Sequence, residues 1–286
     1  MVLPVYISRN GVLVSPAEAC VSVLTPALYG AYGVYESMKV VGGVPFEEAG
    51  HLRRLVRSAE ILALPLPTDL GTFHRWIAGV LAANDAPTCT LRLFVVGAEN
   101  GGKAIAYIWP QPLTVYPQEY YAQGATAITF EGCRYLPQAK SLNSLVSFLA
   151  QRAARAAGAH EGLLHREGFL TEGSSSNLFA VVDGVLLTPP MGMVLSGVTR
   201  DLVVTLAGAD RISLCEGPLP LAELARWDEC FITSSSRHIM PITMVDGKPV
   251  GAGVVGPVTR QLMALFEAYF AGTVQAVGAG NNGRFC

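Results

Sequence analysis

Prolines at positions 110, 112 and 117 interrupt the chain between two stretches that each carry their own strand and helix signals. Proline lacks the amide hydrogen that helix interiors and central strands require, so the chain is expected to divide here into two lobes. A length of 286 residues, 51% of them apolar, is enough for a core in each. The expected domains are a small N-terminal α/β domain over residues 1–115 and a larger domain over 116–275. Residues 276–286, rich in glycine and asparagine, have little to pack and are expected to form a flexible tail.

In the first lobe, residues 6–14 read as a hairpin turning at Asn10-Gly11. A strand over 34–41 places Tyr35, Ser37 and Lys39 on one face. Phe46, His51, Leu52, Leu55, Ala59 and Leu62 then follow helical spacing until Pro65 stops it. A helix over 69–84 and strands over 90–96 and 104–109 complete the lobe. In the second lobe, strands are expected over 125–130, 161–165, 178–182, 185–188 and 229–232. Helices are expected over 141–157, 199–207, 221–225 and 258–271. The order lacks the regular βα alternation of doubly wound or barrel folds, which makes the chain α+β. No GxGxxG motif opens a helix after the first strand and there is no Walker A loop, so nucleotide chemistry has no motif behind it.

Twenty basic against 22 acidic side chains leave a net charge of −2, which disfavours general binding to nucleic acid or to anionic membranes. No apolar run reaches the roughly 20 residues that a bilayer demands, and the first seven residues lack the pattern of a secretory signal. A soluble, cytoplasmic protein is the expectation. The cysteines at 20, 89, 133, 215, 230 and 286 form no CxxC pair and no metal-ligand cluster, so no metal is expected and the thiols read as reduced and structural. Lysines occur only at 39, 103, 140 and 248, leaving few candidates for amine chemistry.

Lys140 sits among small and apolar residues just before the helix expected over 141–157. Such surroundings favour the neutral amine that a Schiff base needs, although a lone lysine also reads as a solvated charge. Downstream, Thr171-Glu172-Gly173-Ser174-Ser175-Ser176-Asn177 offers a carboxylate and a run of hydroxyls. This suits a cofactor with a basic ring nitrogen and hydrogen-bonding substituents, or equally a solvated loop. Ser196-Gly197-Val198-Thr199 opens a helix and could form a phosphate cup or an ordinary N-cap. Thr233-Ser234-Ser235-Ser236 is a second hydroxyl-rich loop.

In this order, His51-Leu52-Arg53-Arg54-Leu55, Lys140-Ser141-Leu142-Asn143, the stretch 171–179, Ser196-Gly197-Val198-Thr199-Arg200-Asp201, and 233–236 followed by Met240-Pro241 resemble the class IV aminotransferases. The resemblance runs from about Tyr6 to Gly272. It implies the two-domain fold type IV, in which the larger domain has a barrel-like sheet, and pyridoxal phosphate as cofactor. It further implies that Lys140 carries the cofactor as an internal aldimine and then moves the Cα proton, and that Glu172 keeps the pyridine nitrogen protonated. By the same resemblance Arg54, Val198, Thr199, Ser234 and Ser235 bind the phosphate and Leu195 packs on the ring. The family moves an amino group between an amino acid and a 2-oxo acid by a ping-pong mechanism, commonly as homodimers.

Within the family, Tyr35, Lys-Ser-Leu-Asn after residue 139 and Thr-Glu-Gly-Ser-Ser-Ser-Asn after 170 are similar to the D-amino acid enzymes. The Arg-x-His that traps the carboxylate in those enzymes is absent, Gly101 and Lys103 standing in its place. The segment Leu91-Arg92-Leu93-Phe94 instead resembles a strand of the branched-chain enzymes. Both substrate classes therefore stay open, with (R)-amine transamination third. Lys39, Arg92, Lys103 and Arg237 are the candidate cations for the carboxylate, and Tyr35 and Ser236 are further candidates for substrate contact. Aminodeoxychorismate lyase activity and non-catalytic cofactor binding are the remaining alternatives.

Overall fold

Apolar residues at alternate positions build the sheet of the first unit. Leu91, Leu93 and Val95 are completely buried, and Arg92 and Phe94 between them are half-buried. The computed structural model describes residues 4–98 and 102–281. The chain forms two compact units, one of Met1–Thr114, Ala139–Asn143 and Phe270–Cys286, the other of Val115–Gln138 and Ser144–Tyr269.

The first unit contains β1 (Ile7–Arg9), β2 (Val12–Val14), α1 (Pro26–Tyr29), β3 (Gly33–Val41), β4 (Val44–Pro45), α2 (Glu48–Ile61), α3 (Leu70–Ala83), β5 (Cys89–Val96) and β6 (Ile105–Gln111). The strands form one antiparallel sheet in the order β2-β1-β6-β5-β3-β4. One face, including Val34, Met38, Leu91, Leu93 and Ile108, shares a core with Leu52 and Leu55 of α2 and Phe73 and Ile77 of α3. Asp69 caps α3, its carboxylate accepting from the Thr72 N–H at 2.9 Å. The opposite face carries Tyr35, Phe94 and Trp109, with ring centroids 5.5 Å apart for the first pair and 5.0 Å for the second.

The second unit contains α4 (Glu119–Ala122), β7 (Ala125–Glu131), α5 (Leu145–Ala156), β8 (Glu161–Arg166), β9 (Phe169–Gly173), β10 (Asn177–Val182) and β11 (Val185–Thr188). These are followed by α6 (Val198–Ala209), β12 (Leu214–Glu216), β13 (Leu219–Pro220), a 3₁₀ turn over Leu221–Arg226, β14 (Glu229–Ser234), β15 (His238–Val245) and β16 (Lys248–Pro249). The last helix, α7, spans Pro257–Asn281. Strands β10, β14, β15, β7, β8 and β9 pair in succession, and β9 pairs back to β10 through Glu172 and Asn177. That last pairing closes a barrel. Its core uses small residues, Ala125, Ala127 and Ala180, beside Leu163, Leu178, Ile232 and Ile242, as a narrow barrel filled by side chains requires.

The mixed α/β architecture with a barrel-like sheet is as the sequence implies. Several local features differ from it, among them β9 (Phe169–Gly173), for which no strand is expected. Strand β15 passes through Pro241, opposite Phe231, where the proline masks the strand signal. The helix expected from residue 141 begins only at Leu145, and residues 139–143 cluster with the first unit rather than with their sequence neighbours. Helix α7 continues to Asn281, so residues 276–281 are helical where a flexible tail is expected; no proline stops propagation there. Residues 282–286 lie outside the described residues. Among the described residues no helix is long and apolar enough to cross a membrane.

Leu93 is fully buried on the central strand β5. Leu93→Ala is expected to destabilise the protein by about 2–5 kcal/mol in urea unfolding, as for other buried leucines.

Candidate active site

Lys140 is held by its backbone. Its carbonyl accepts from the Tyr35 N–H at 2.9 Å, and its own N–H donates to Ser58 Oγ at 3.0 Å. Ser141 bridges to Val34, and the Leu142 N–H donates to the Gly33 carbonyl at 2.9 Å. The lysine segment is therefore an added edge on β3. Gly33 permits this approach, since a Cβ there would stand 2.6 Å from Leu142 Cδ1 and from the Val95 carbonyl oxygen. Lys140 Nζ lies 4.6 Å from the Tyr35 ring centroid, on the face that also carries Arg92 and Phe94.

The alternate positions of β3 face the other way. Glu36, completely buried, accepts from Arg54 Nε at 2.8 Å, from Arg54 Nη2 at 2.7 Å and from His51 Nδ1 at 2.7 Å. Ser58 donates to the Arg54 carbonyl at 2.7 Å while accepting from the Lys140 N–H, so α2 links the arginine to the lysine backbone. Arg54, expected as a phosphate ligand, thus has two guanidinium nitrogens engaged by Glu36. Sequence reasoning missed Glu36. The available signal was a carboxylate on the core-facing register of a strand, which demands buried cations, with His51 and Arg54 one helical turn apart.

In the second unit, Glu172 and Asn177 are the pair that closes the barrel, and both are buried. Glu172 Oε2 accepts from the Leu195 N–H at 3.4 Å, and Asn177 Nδ2 donates to the Leu195 carbonyl at 2.8 Å. Leu195 is thereby fixed between the closing residues. Two residues later Gly197 precedes α6, and a Cβ there would overlap Asn177 Oδ1. Gly197 supplies no side-chain cap to α6, and the first intrahelical bond comes from the Asp201 N–H to the Gly197 carbonyl at 2.8 Å. The N–H groups of Val198 and Thr199 therefore have no acceptor within the helix, the arrangement that receives a phosphate. Arg200, 2% exposed, ties this turn to the Pro189 carbonyl at 3.2 Å and to Glu216 at 3.0 Å.

Ser234 and His238 pair across the β14–β15 hairpin, whose tip is Ser235, Ser236 and Arg237. Ser234 Oγ accepts from the Arg237 N–H at 3.3 Å and lies 3.5 Å from Ser236 Oγ. The Thr233 hydroxyl is buried without a hydrogen-bond partner among the described residues, which suits a polar ligand. Arg237 Nη1 donates to Glu161 at 2.9 Å and to Ser175 Oγ at 3.1 Å. Of the other candidate cations, Lys39 lies 4.7 Å from the Phe270 ring centroid, Lys103 is exposed, and Arg92 is half-buried beside Ser37 on β3. Gly101 lies outside the described residues. Among the described residues no group of three or more His, Cys, Asp or Glu side chains could hold a metal ion.

The first unit offers a primary amine, and the second offers a buried carboxylate and an uncapped helix start; taken singly, these suit an aldehyde, a protonated ring nitrogen and a phosphate. The sequence profile described as amino-transferase class IV matches residues 33–245. The chain is 32% identical over 273 residues to a D-alanine aminotransferase of Staphylococcus aureus (strain COL), covering 91% of this chain and 96% of that protein. Its structure is similar to the branched-chain amino acid aminotransferase of Escherichia coli, with a TM-score of 0.86, 31% identity and 94% of each chain covered. It is also similar to the T.th. branched-chain amino acid aminotransferase solved with pyridoxamine 5'-phosphate, with a TM-score of 0.86, 29% identity and coverage of 93% and 94%.

Burial works against ionisation of Glu36, but the charge and hydrogen bonds of Arg54, aided by His51, outweigh it and hold the carboxyl well below its ordinary range. Burial lowers the His51 pKa despite the pull of Glu36, so at neutral pH the ring is neutral and donates from Nδ1. Removing one member of a buried ion pair leaves the other charge uncompensated, and Glu36→Gln is expected to cost about 3–5 kcal/mol at pH 7. Because the folded-state pKa is depressed, the wild-type advantage is present above the unfolded carboxylate value of about 4.3. It declines as pH falls towards the folded-state value, which urea unfolding of both proteins at pH 7 and at acidic pH measures.

Proposed function

The chain belongs to the amino-transferase class IV family, and on that premise we propose that Lys140 and Glu172 are its catalytic residues. It is a pyridoxal phosphate-dependent aminotransferase that acts on an amino acid and a 2-oxo acid. When bound, pyridoxal phosphate presents an aldehyde to amines and a ring that accepts electrons from the carbon bearing the nitrogen. Lys140 Nζ would hold the cofactor, and its amine would move the proton at the substrate Cα. Its backbone bonds to Tyr35 and Ser58 leave only side-chain torsions free for this movement. The Glu172 carboxylate would hold the proton on the pyridine nitrogen, and Leu195 would pack on the ring. The N–H groups of Val198 and Thr199, with Ser234, Ser235 and Arg54, bind the phosphate.

The observation that carries this reading is the Lys140 amine over the Tyr35 ring on a backbone fixed at both its N–H and its carbonyl. The same face supports a donor with an apolar side chain of the branched-chain type. Tyr35, Phe94 and Trp109 form a continuous aromatic surface, and Arg92 beside it receives the α-carboxylate. Arg92 is favoured over Lys103 because it stands on the β3–β5 face that carries Tyr35, whereas Lys103 is exposed. Ser236 completes the substrate contacts. The relationship to D-alanine aminotransferases and the Lys140-Ser141-Leu142-Asn143 segment favour a second reading, a D-amino acid donor.

The reading extends to a cytoplasmic homodimer. Val23, Leu24, Leu28 and Tyr29 are 61–84% exposed, and Leu145 and Phe148 are 65% and 63% exposed, a load of apolar surface that a second copy would cover. The cysteines among the described residues are all free, which suits a reducing compartment.

Lys140→Ala is expected to abolish the visible absorbance band of the cofactor-loaded protein and its turnover while leaving its circular dichroism unchanged. A persistent band with normal turnover would assign the chemistry to another residue. Adding L-leucine, D-alanine and (R)-1-phenylethylamine to separate samples of the wild type identifies the donor by which one shifts the band to that of the aminated cofactor. Arg92→Met is expected to raise KM for the amino acid donor at least about tenfold more than KM for a neutral amine. Equal effects on the two would remove Arg92 from the carboxylate site.

A further inference from the structure

Glu161 opens β8 and is 1% exposed, far too buried for a carboxylate without partners. It accepts from the N–H groups of Gly162 at 2.9 Å and Ser174 at 3.1 Å, from Ser176 Oγ at 3.0 Å and from the Ser174 hydroxyl. Gly173 lets the carboxylate lie against this turn, since a Cβ there would stand 3.2 Å from Glu161 Oε2 and would overlap Ser176 Oγ. The turn 174–176 is the connection between Glu172 and Asn177, the two residues that close the barrel. Glu161 therefore fixes the stretch of chain on which Glu172 depends.

The remaining partner of Glu161 comes from the β14–β15 hairpin. Arg237 Nη1 bonds Glu161 Oε2 at 2.9 Å and Ser175 Oγ at 3.1 Å, and its Cζ lies 5.3 Å from the Tyr116 ring centroid. The Arg237 backbone is also engaged at both ends: its N–H donates to Ser234 Oγ, and its carbonyl accepts from the Tyr121 hydroxyl at 3.2 Å. A single arginine thus joins the tip that carries Ser234, Ser235 and Ser236 to the turn that follows Glu172.

We infer that Glu161 and Arg237 are a positioning pair that holds the serine-bearing hairpin tip and the Glu172–Asn177 turn in one fixed arrangement for the cofactor. This rests on the site assigned under the proposed function and adds two residues that touch neither cofactor nor substrate. Their effect is on where the hydroxyls and the Glu172 carboxylate stand. A displacement of about 1 Å in such groups costs on the order of 100-fold.

The test is a double-mutant cycle with Arg237→Met, Glu161→Gln and the double variant, together with Arg237→Lys. Each apoprotein is titrated with pyridoxal phosphate and with pyridoxal by visible absorbance, and KM and kcat are measured with an amino acid and a neutral amine. Arg237→Met and Glu161→Gln are each expected to weaken pyridoxal phosphate binding by about 10- to 100-fold, and pyridoxal binding much less, because the hairpin serines meet the phosphate. The double variant should be no worse than either single one, since both remove the same link. Arg237→Lys, which keeps the charge but not the planar guanidinium, should recover part of the loss. If a single variant fails to fold, the double variant, which leaves no unpaired charge, carries the comparison.

Unchanged cofactor affinity with a raised KM for the amino acid alone would overturn the inference and make Arg237 a substrate contact. Equal losses for pyridoxal and pyridoxal phosphate, additive in the double variant, would overturn it in favour of a merely structural role. A wild type that takes up no pyridoxal phosphate would overturn the site assignment itself, which the wild-type titration distinguishes from either result.

Discussion

A barrel needs its last strand to find its first, and here that junction is a single residue pair, Glu172 opposite Asn177. Every other neighbour in the ring pairs through several residues, so the position of Glu172 is set by the least redundant contact in the sheet. The features around it follow from that closure. Asn177 holds the Leu195 carbonyl and leaves room only for glycine at 197, and the missing side chain at 197 leaves α6 uncapped. One backbone constraint thus generates both a buried carboxylate and, a short distance along the chain, an uncapped helix start of the kind that suits an anion.

Each unit buries a carboxylate against an arginine. Glu36 and Arg54 form the pair in the first unit, Glu161 and Arg237 the pair in the second. Such pairs add little net stability compared with apolar packing, but losing one partner is expensive, which confines both side chains to one geometry. In each unit the constrained geometry reaches a segment proposed to carry function. Through Ser58, α2 reaches the Lys140 N–H, and through the 174–176 turn Glu161 reaches the segment between Glu172 and Asn177. Charge is used here to fix backbone rather than to meet substrate.

Much of this was legible in the sequence where the determinants are local. Helix α3 follows from the Asp69 cap and its apolar spacing, and the two faces of β3 follow from strand alternation, with Val34, Met38 and Val40 buried and Tyr35, Ser37 and Lys39 half-buried. The ordered motifs around Lys140, Glu172 and Thr199 pointed to the family. What was not legible depends on partners far apart in the chain. Glu36 meets Arg54 18 residues away, Glu161 meets Arg237 76 residues away, and neither distance leaves a periodic trace. Strand β15 was hidden because Pro241 sits within it, and the placement of Lys140 depends on a bridge to Val34 that no local pattern encodes.

The division of the chain into spatial units does not follow the order in which it is written. Residues 139–143 and the end of α7 belong with the first 114 residues, although the long segment Ser144–Tyr269 of the other unit separates those two pieces. A fragment ending at residue 114 would therefore leave the Tyr35 N–H and the Gly33 carbonyl on an open sheet edge, free to pair with another molecule. Dissecting this protein by truncation would yield a sticky half without its lysine. A separable first unit would have to be rebuilt with 139–143 spliced back beside β3, a permuted order of segments rather than a shorter chain.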